Sequence, residues 1–277
     1  MLPDFLTLNV ADPSQSGMLR LVIFATVLVV MGILETLLPR RERSFERPMR
    51  WFTNLGMVVL SSIAIRVIFP SAAAIGVALW ASANGYGIFG LTDWPIWLEG
   101  LLTFILLDMA IYWQHVASHK IPMFWLVHRV HHADPDIDAT TGVRFHPIEI
   151  VLSMVYKMLI VVLLGGPAAA IFIFEVVLNG SAMFNHANMQ LPLFLDKIIR
   201  AVFVTPDMHR VHHSVIRTET DSNYGFNLSI WDRMFGSYID QPREGHIGMK
   251  IGLPQYRDGS PRFMGWSLLF PFKGRDQ

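Results

Sequence analysis

The 277-residue chain contains no cysteine. That absence excludes disulfides, iron–sulfur clusters and thiolate-ligated haem within it, and it suits a reducing compartment. Charge is scarce too. Asp, Glu, Lys and Arg make up 16% of the residues, against roughly 25% in soluble domains. The acidic and basic residues number 22 each, so the formal net charge is zero. No nucleic-acid partner is expected, because nothing here supplies the bulk electrostatics that such binding uses. Hydrophobic residues are abundant, at 52%, and point to a membrane protein.

A bilayer core takes about 20 apolar residues of helix. Residues 18–38 fit, and they lack the flanks of a cleaved signal peptide. Further spans are expected at 51–69, 95–113, 148–164 and 167–184. The last two form a hairpin turned at Gly165-Gly166-Pro167. A short apolar stretch, 71–82, reads as a half-span or an interfacial helix. The loop 39–50 carries Arg40, Arg41, Arg43, Arg47 and Arg50, whereas 1–17 and 82–95 carry no Lys or Arg. The positive-inside rule then puts 39–50 in the cytoplasm. Counting spans forward puts 115–147 and 185–277 on the same side. The expected organisation is an N-terminal transmembrane region (1–114), a cytosolic segment (115–147), a transmembrane hairpin (148–184) and a cytosolic cap (185–277). Lys157 and Glu175 lie nine residues either side of Gly166, so an antiparallel hairpin sets them at one depth as a structural ion pair. Glu175 also shares a helical face with Asn179 and His186, which makes Glu175 and Asn179 candidates for supporting a histidine there.

Nine of the 11 histidines fall in four short stretches, and HRVHH occurs twice. His115 and His119 are spaced i, i+4 and share a helical face. Asp108, seven residues earlier, is placed to accept a ring N–H from a ligating histidine. His128, His131 and His132 sit at offsets 0, 3 and 4, with Arg129 and Val130 pointing away. His209, His212 and His213 repeat this pattern behind Thr205 as N-cap and Pro206 at the first helical position. His186 follows the last span. All nine are predicted on one membrane face. Eight or nine imidazoles exceed the four to six donors of one metal and fit two. Imidazole suits Zn, Cu, Fe and Ni alike. Taken singly, His146 and His246 read as core or surface residues, and Arg129 and Arg210 as structurally paired or solvated. The DPDID run at 134–138 has Ala139 and Phe145 where a calcium loop needs Gly and Glu, so calcium is rejected.

These histidine motifs, with DMAIYWQHVASH, TTGVRFHPIE and DSNYGFNLSIWDRMFGSY around them, resemble the fatty acid hydroxylase/sterol desaturase superfamily over residues 95–245. The resemblance implies an all-α integral membrane protein: a transmembrane helical bundle under a cytosolic helical cap, with a histidine-rich dimetal site between them. It implies two iron ions as cofactor, with zinc a possible substitute in purified protein, and O2 as co-substrate. It implies hydroxylation or desaturation of an aliphatic C–H bond in a fatty acyl, sterol or related lipid. It assigns His115, His119, His128, His131, His132, His186, His209, His212 and His213 as metal ligands. His146, Asp221, Asn223, Tyr224 and Asp232 match flanking motifs and are candidates for supporting roles.

With no cysteine and no segment resembling a cytochrome b5 or flavin module, an external electron donor of reductase, cytochrome b5 or ferredoxin type is expected. The protein is expected as multi-pass in the inner membrane of a bacterium or the endoplasmic reticulum of a eukaryote, histidines facing the cytoplasm. The rival readings are a zinc-dependent membrane hydrolase using the same cluster and a metal transporter, which would carry its ligands near mid-membrane. Metal loss is expected as pH falls towards the free histidine value of about 6.5. The tail 242–277 either lies on the membrane surface or packs on the cap.

Overall fold

The computed structural model describes residues 12–70 and 73–274, and among these the structure is all-helical, with three isolated bridges and no strand. The helices are α1 (Pro13–Leu37), α2 (Arg47–Ile68), α3 (Ala73–Ala83), α4 (Ile96–Lys120), α5 (Pro122–His132), α6 (Pro147–Leu164) and α7 (Ala168–Asn185). The shorter α8 (Leu193–Arg200), α9 (Pro206–His212), α10 (Arg217–Thr220), α11 (Ile230–Met234), α12 (Gly245–Gly248) and α13 (Met264–Leu269) follow. Among the described residues, five helices are long and apolar enough to cross a membrane: α1, α2, α4, α6 and α7. They are the five expected spans, and the protein is multi-pass. Their large apolar side chains, such as Leu21, Val67 and Leu163, face outward, as lipid-solvated helices require.

α1 packs on α7, α2 on α6, and α4 on both arms of the α6–α7 hairpin. α3 packs into the bundle, against α6 and α7. Its residues Ala74 and Ala78 are buried with Phe89, Leu107, Ile111, Val161, Leu164, Ile171 and Phe174 in the largest core cluster. Residues 71 and 72, where this helix was expected to begin, lie outside the described residues. The hairpin turn uses Gly165 in the left-handed region, at φ 65°. A Cβ there would stand 2.2 Å from the Tyr86 carbonyl oxygen, so only glycine fits both the torsion and the approach.

Lys157 and Glu175 do pair across the hairpin, and Arg20 on α1 adds a second cation 2.6 Å from Glu175. Glu175 thereby ties three spans together. The α1–α2 loop is locked to the histidine end of the bundle. Arg40 pairs with Asp207 at 3.1 Å, and Arg50 pairs with Asp134 at 2.8 Å and Asp138 at 2.6 Å. Loop 39–50 and the histidines therefore share one face. The DPDID carboxylates hold arginine and backbone N–H groups rather than calcium: Asp136 accepts from Ser44 and Phe45. Against the upward push of burial, Arg50 draws Asp134 down to about 2. In the tail, α13 packs on α2, and the turn Phe270–Phe272 packs on α5.

Candidate metal centre

α4 runs unbroken from mid-bundle to Lys120, so His115 and His119 leave the bundle on a rigid helix. α5 starts at Pro122 and brings His128, His131 and His132 back over it. α9 starts behind Thr205, whose side chain accepts from Met208 N at 3.4 Å, and carries His209 and His212, with His213 as C-cap. His186 caps the end of α7. Helix starts and offsets match the sequence reading.

The structure gathers all nine histidines, each at most 3% exposed, into two adjoining groups. One holds His115, His119, His128, His132 and His212; the other holds His131, His186, His209 and His213. Within each group one ring nitrogen per residue lies within 4.8 Å of all the others. The groups touch where the rings of His132 and His213 stack at 4.5 Å.

The rings are held from behind. His115 Nδ1 donates to the Tyr224 carbonyl at 2.7 Å and His212 Nδ1 to the Ser222 carbonyl at 2.7 Å. His128 Nδ1 donates to Glu149 Oε1 at 2.6 Å. His186 Nδ1 meets the Ala182 carbonyl at 2.7 Å and Asn185 Oδ1 at 2.6 Å. In His115, His128 and His212 the inward Nε2 is left without a partner among the described residues. A buried unpaired nitrogen is costly, and an outward N–H with an inward lone pair is the tautomer a metal requires. In the second group, His186 Nε2 lies 3.1 Å from His131 Nε2 and 3.0 Å from His209 Nε2. Donors about 2.1 Å from a shared ion stand about 3.0–3.4 Å apart. The donor set therefore fits a metal.

Burial sets the charge state. It holds His131, His132, His209 and His213 well below 6.5, helped by repulsion among neighbouring rings. It brings His186 and His212 down to about 3. All six are thus neutral, the form that ligates.

Several supporting candidates act elsewhere. Asp108 reaches no histidine: its oxygens accept from Asn227 Nδ2 (2.9 Å), Leu228 N (3.1 Å) and Trp231 Nε1 (2.8 Å). Spacing put it on the right stripe, but a loop from the cap occupies it first. Asn179 donates to the Glu175 carbonyl one turn back, and Glu175 itself is taken by Lys157 and Arg20. His146 caps α6, accepting from Ile148 N at 3.2 Å. Asn223, at φ 48°, bonds Met208 O and Ile239 O and braces α9. Asp221 stands 3.5 Å from His119 and binds Lys120 and Arg217 more closely. Tyr224 supports the site through its carbonyl, and its ring packs against His115, His119 and His212. Asp232 accepts from Tyr224 N and Gly225 N. Sequence reasoning missed Glu149 and Asn185; Glu149 lay three residues after His146 in the quoted FHPIE run, and Asn185 directly precedes His186.

A membrane-spanning bundle that ends in nine buried, converging imidazoles defines a membrane protein with a metal site. The family model described as fatty acid hydroxylase matches residues 100–237, a span that holds all nine. An ornithine lipid hydroxylase of Rhizobium tropici is 26% identical over 231 residues, covering 80% of this chain and 67% of that protein. An alkylglycerol monooxygenase of Xenopus tropicalis is 29% identical over 170 residues, covering 60% of this chain and 36% of that protein. A very-long-chain aldehyde decarbonylase of Oryza sativa is 26% identical over 164 residues, covering 58% and 60%. The chain thus spans only about a third of the monooxygenase. No solved structure matches. The chain belongs to the fatty acid hydroxylase/sterol desaturase superfamily, and by that membership it is an oxidoreductase.

Proposed function

We propose that this protein uses O2 to hydroxylate or desaturate an aliphatic C–H bond of a membrane lipid at a centre of two irons held by the nine histidines. One observation carries the reading: two adjoining groups of five and four imidazoles, with buried nitrogens turned inward. When bound, the irons supply the strongly oxidising oxygen chemistry that an unactivated C–H bond requires, which side-chain acid–base chemistry cannot.

The chain's own residues do the rest. Glu149 and the Tyr224, Ser222 and Ala182 carbonyls fix ring orientation and tautomer. Burial keeps the rings neutral and water out. Phe226 lies 5.1 Å from His115 and 6.2 Å from His209, and Phe145 stacks on His131 at 4.6 Å, so the walls of the site are apolar where a lipid chain would lie. That the relatives are named for ornithine lipid, alkylglycerol and very-long-chain aldehyde supports a lipid substrate.

Electrons come from a separate carrier of reductase, cytochrome b5 or ferredoxin type. A cavity of 240 Å³ lined by His119, Lys120, Trp125, Leu126, Arg129 and Arg217 supports its docking there. The Trp125 ring lies 5.0 Å from His119 and 5.4 Å from His132. We assign the histidine face to the cytoplasm on the loop arginines.

A zinc hydrolase is the weaker reading, because five donors in one group exceed the four of a closed zinc site and the three plus water of a catalytic one. A transporter is weaker still, because the donors cluster at the helix ends. Lipid extracts from cells with and without the protein, grown under isotopically labelled O2, test the reading. A lipid that appears only with the protein and carries the label in a hydroxyl supports it, as does a new alkene formed only in the presence of O2. A product formed equally without O2 contradicts it.

A further inference from the structure

Residues 193–235 carry eight large apolar side chains that the protein leaves exposed: Leu193, Phe194, Ile198, Val202, Phe203, Ile230, Met234 and Phe235. α8 is inside-out. Its polar residues Asp196 and Arg200 are buried and paired at 2.7 Å, while Phe194 (68% exposed) and Ile198 (65%) point away from the protein. A helix on an aqueous surface does the opposite. Exposed apolar surface of this extent marks an interaction site.

Three contacts place this face at bilayer level. First, Gln190 N bonds the Leu38 carbonyl just past the end of α1, so α8 starts beside the mouth of a membrane span. Second, Val202 O accepts from Ser229 N, and Arg200 O accepts from Ser229 Oγ and Arg233 Nη2, which joins α8 to α11. Third, the loop before α11 reaches Asp108, the middle residue of the 25-residue span α4. Asp108 lies about 10 Å below His115 along that helix at 1.5 Å per residue. Phe235 rests on Trp113 of α4 at 4.8 Å. The exposed side chains of α11 are therefore continuous with the lipid-facing surface of the bundle and below the histidines.

We propose that α8, residues 201–203 and α11 form a wedge inserted into the histidine-side leaflet, with acyl chains covering its outer face. The expected cytosolic segment 185–277 is then in part a bilayer segment. Lys197, exposed beside Ile198, extends to the headgroups, as basic residues on interfacial helices do. The inner edge of the wedge is Phe226, in contact with His115 and His209. Lipid against the outer face thus stands beside the segment that walls the site.

The inference depends on neither the metal nor the reaction. The absence of cysteine makes its test direct, because a single introduced thiol is the only one. Phe194→Cys, Ile198→Cys and Met234→Cys are each labelled with an environment-sensitive fluorophore in the full chain reconstituted in phosphatidylcholine vesicles, with Asp258→Cys as the water-facing control. The expected result is blue-shifted emission at 194, 198 and 234, with loss of intensity when lipids spin-labelled near the carbonyl are added, and neither change at 258. Water-like emission at the three sites, quenched by iodide and indifferent to spin-labelled lipid, overturns the proposal. So does shielding from both quenchers, the signature of a second protein copy covering the face. Lipid quenching at 234 with water-like emission at 194 and 198 overturns the placement of α8.

Discussion

Glu149 shows how one side chain sets the orientation of an imidazole. Its carboxylate holds His128 Nδ1 at 2.6 Å and turns Nε2 towards the other four rings. Glu149→Gln is expected to leave the fold intact and weaken metal binding about ten- to a hundredfold, read by titrating metal into stripped protein. An unchanged affinity contradicts this positioning role. Burial gives a second expectation. The unfolded chain protonates His186 and His212 near 6.5, whereas the fold keeps them neutral to about 3. Between these values the unfolded state binds more protons, so the metal-free fold loses stability as pH falls from 6.5 towards 3. Its melting temperature in detergent should drop through that window, and a flat profile contradicts the assignment. The same burial moves proton competition for the metal below the 6.5 expected from free imidazole. The convergence of the nine histidines was legible in the sequence because helical spacing fixes which rings share a face. Their supports were legible only in part, because backbone carbonyls such as Tyr224 O and Ser222 O have no side-chain signature.

At the scale of elements, two close approaches carry much of the architecture. The turn at Thr141–Val143 lies against α7, and a Cβ on Gly142 would stand 2.2 Å from the Ala182 carbonyl and 3.1 Å from His186 Nδ1. Gly142→Ala should push α7 away, disturb the four-histidine group and lower bound metal below two per chain, as elemental analysis would show; full metal content contradicts it. The intramembrane triad makes an asymmetric prediction. Lys157→Met leaves Glu175 paired with Arg20, whereas Glu175→Met leaves two cations facing each other. Breaking a buried pair costs about 3–5 kcal/mol when it strands a charge, so Glu175→Met should lower thermal stability clearly more than Lys157→Met. Equal losses would show that Arg20 contributes nothing. Simple exchange of Lys157 and Glu175 should rescue poorly, since it sets a lysine beside Arg20. The pair was readable from symmetry about Gly166. Arg20 was not, because nothing in a hydropathy profile says which neighbouring span turns a cation inward.

At the scale of the molecule, spans, hairpin and histidine face were legible because bilayer thickness and helix period leave little freedom. The path of the cap was not. Its loop enters the bundle to reach Asp108, a tertiary contact across more than a hundred residues that no local pattern encodes. The proposed chemistry requires each of the two imidazole groups to hold a metal ion. The most direct test is the number of metal atoms per chain in protein grown with iron and purified without oxygen, measured alongside His131→Ala from the four-histidine group. Two iron atoms per chain are expected in the natural sequence and about one in the variant. A natural chain that binds one atom or none would contradict it.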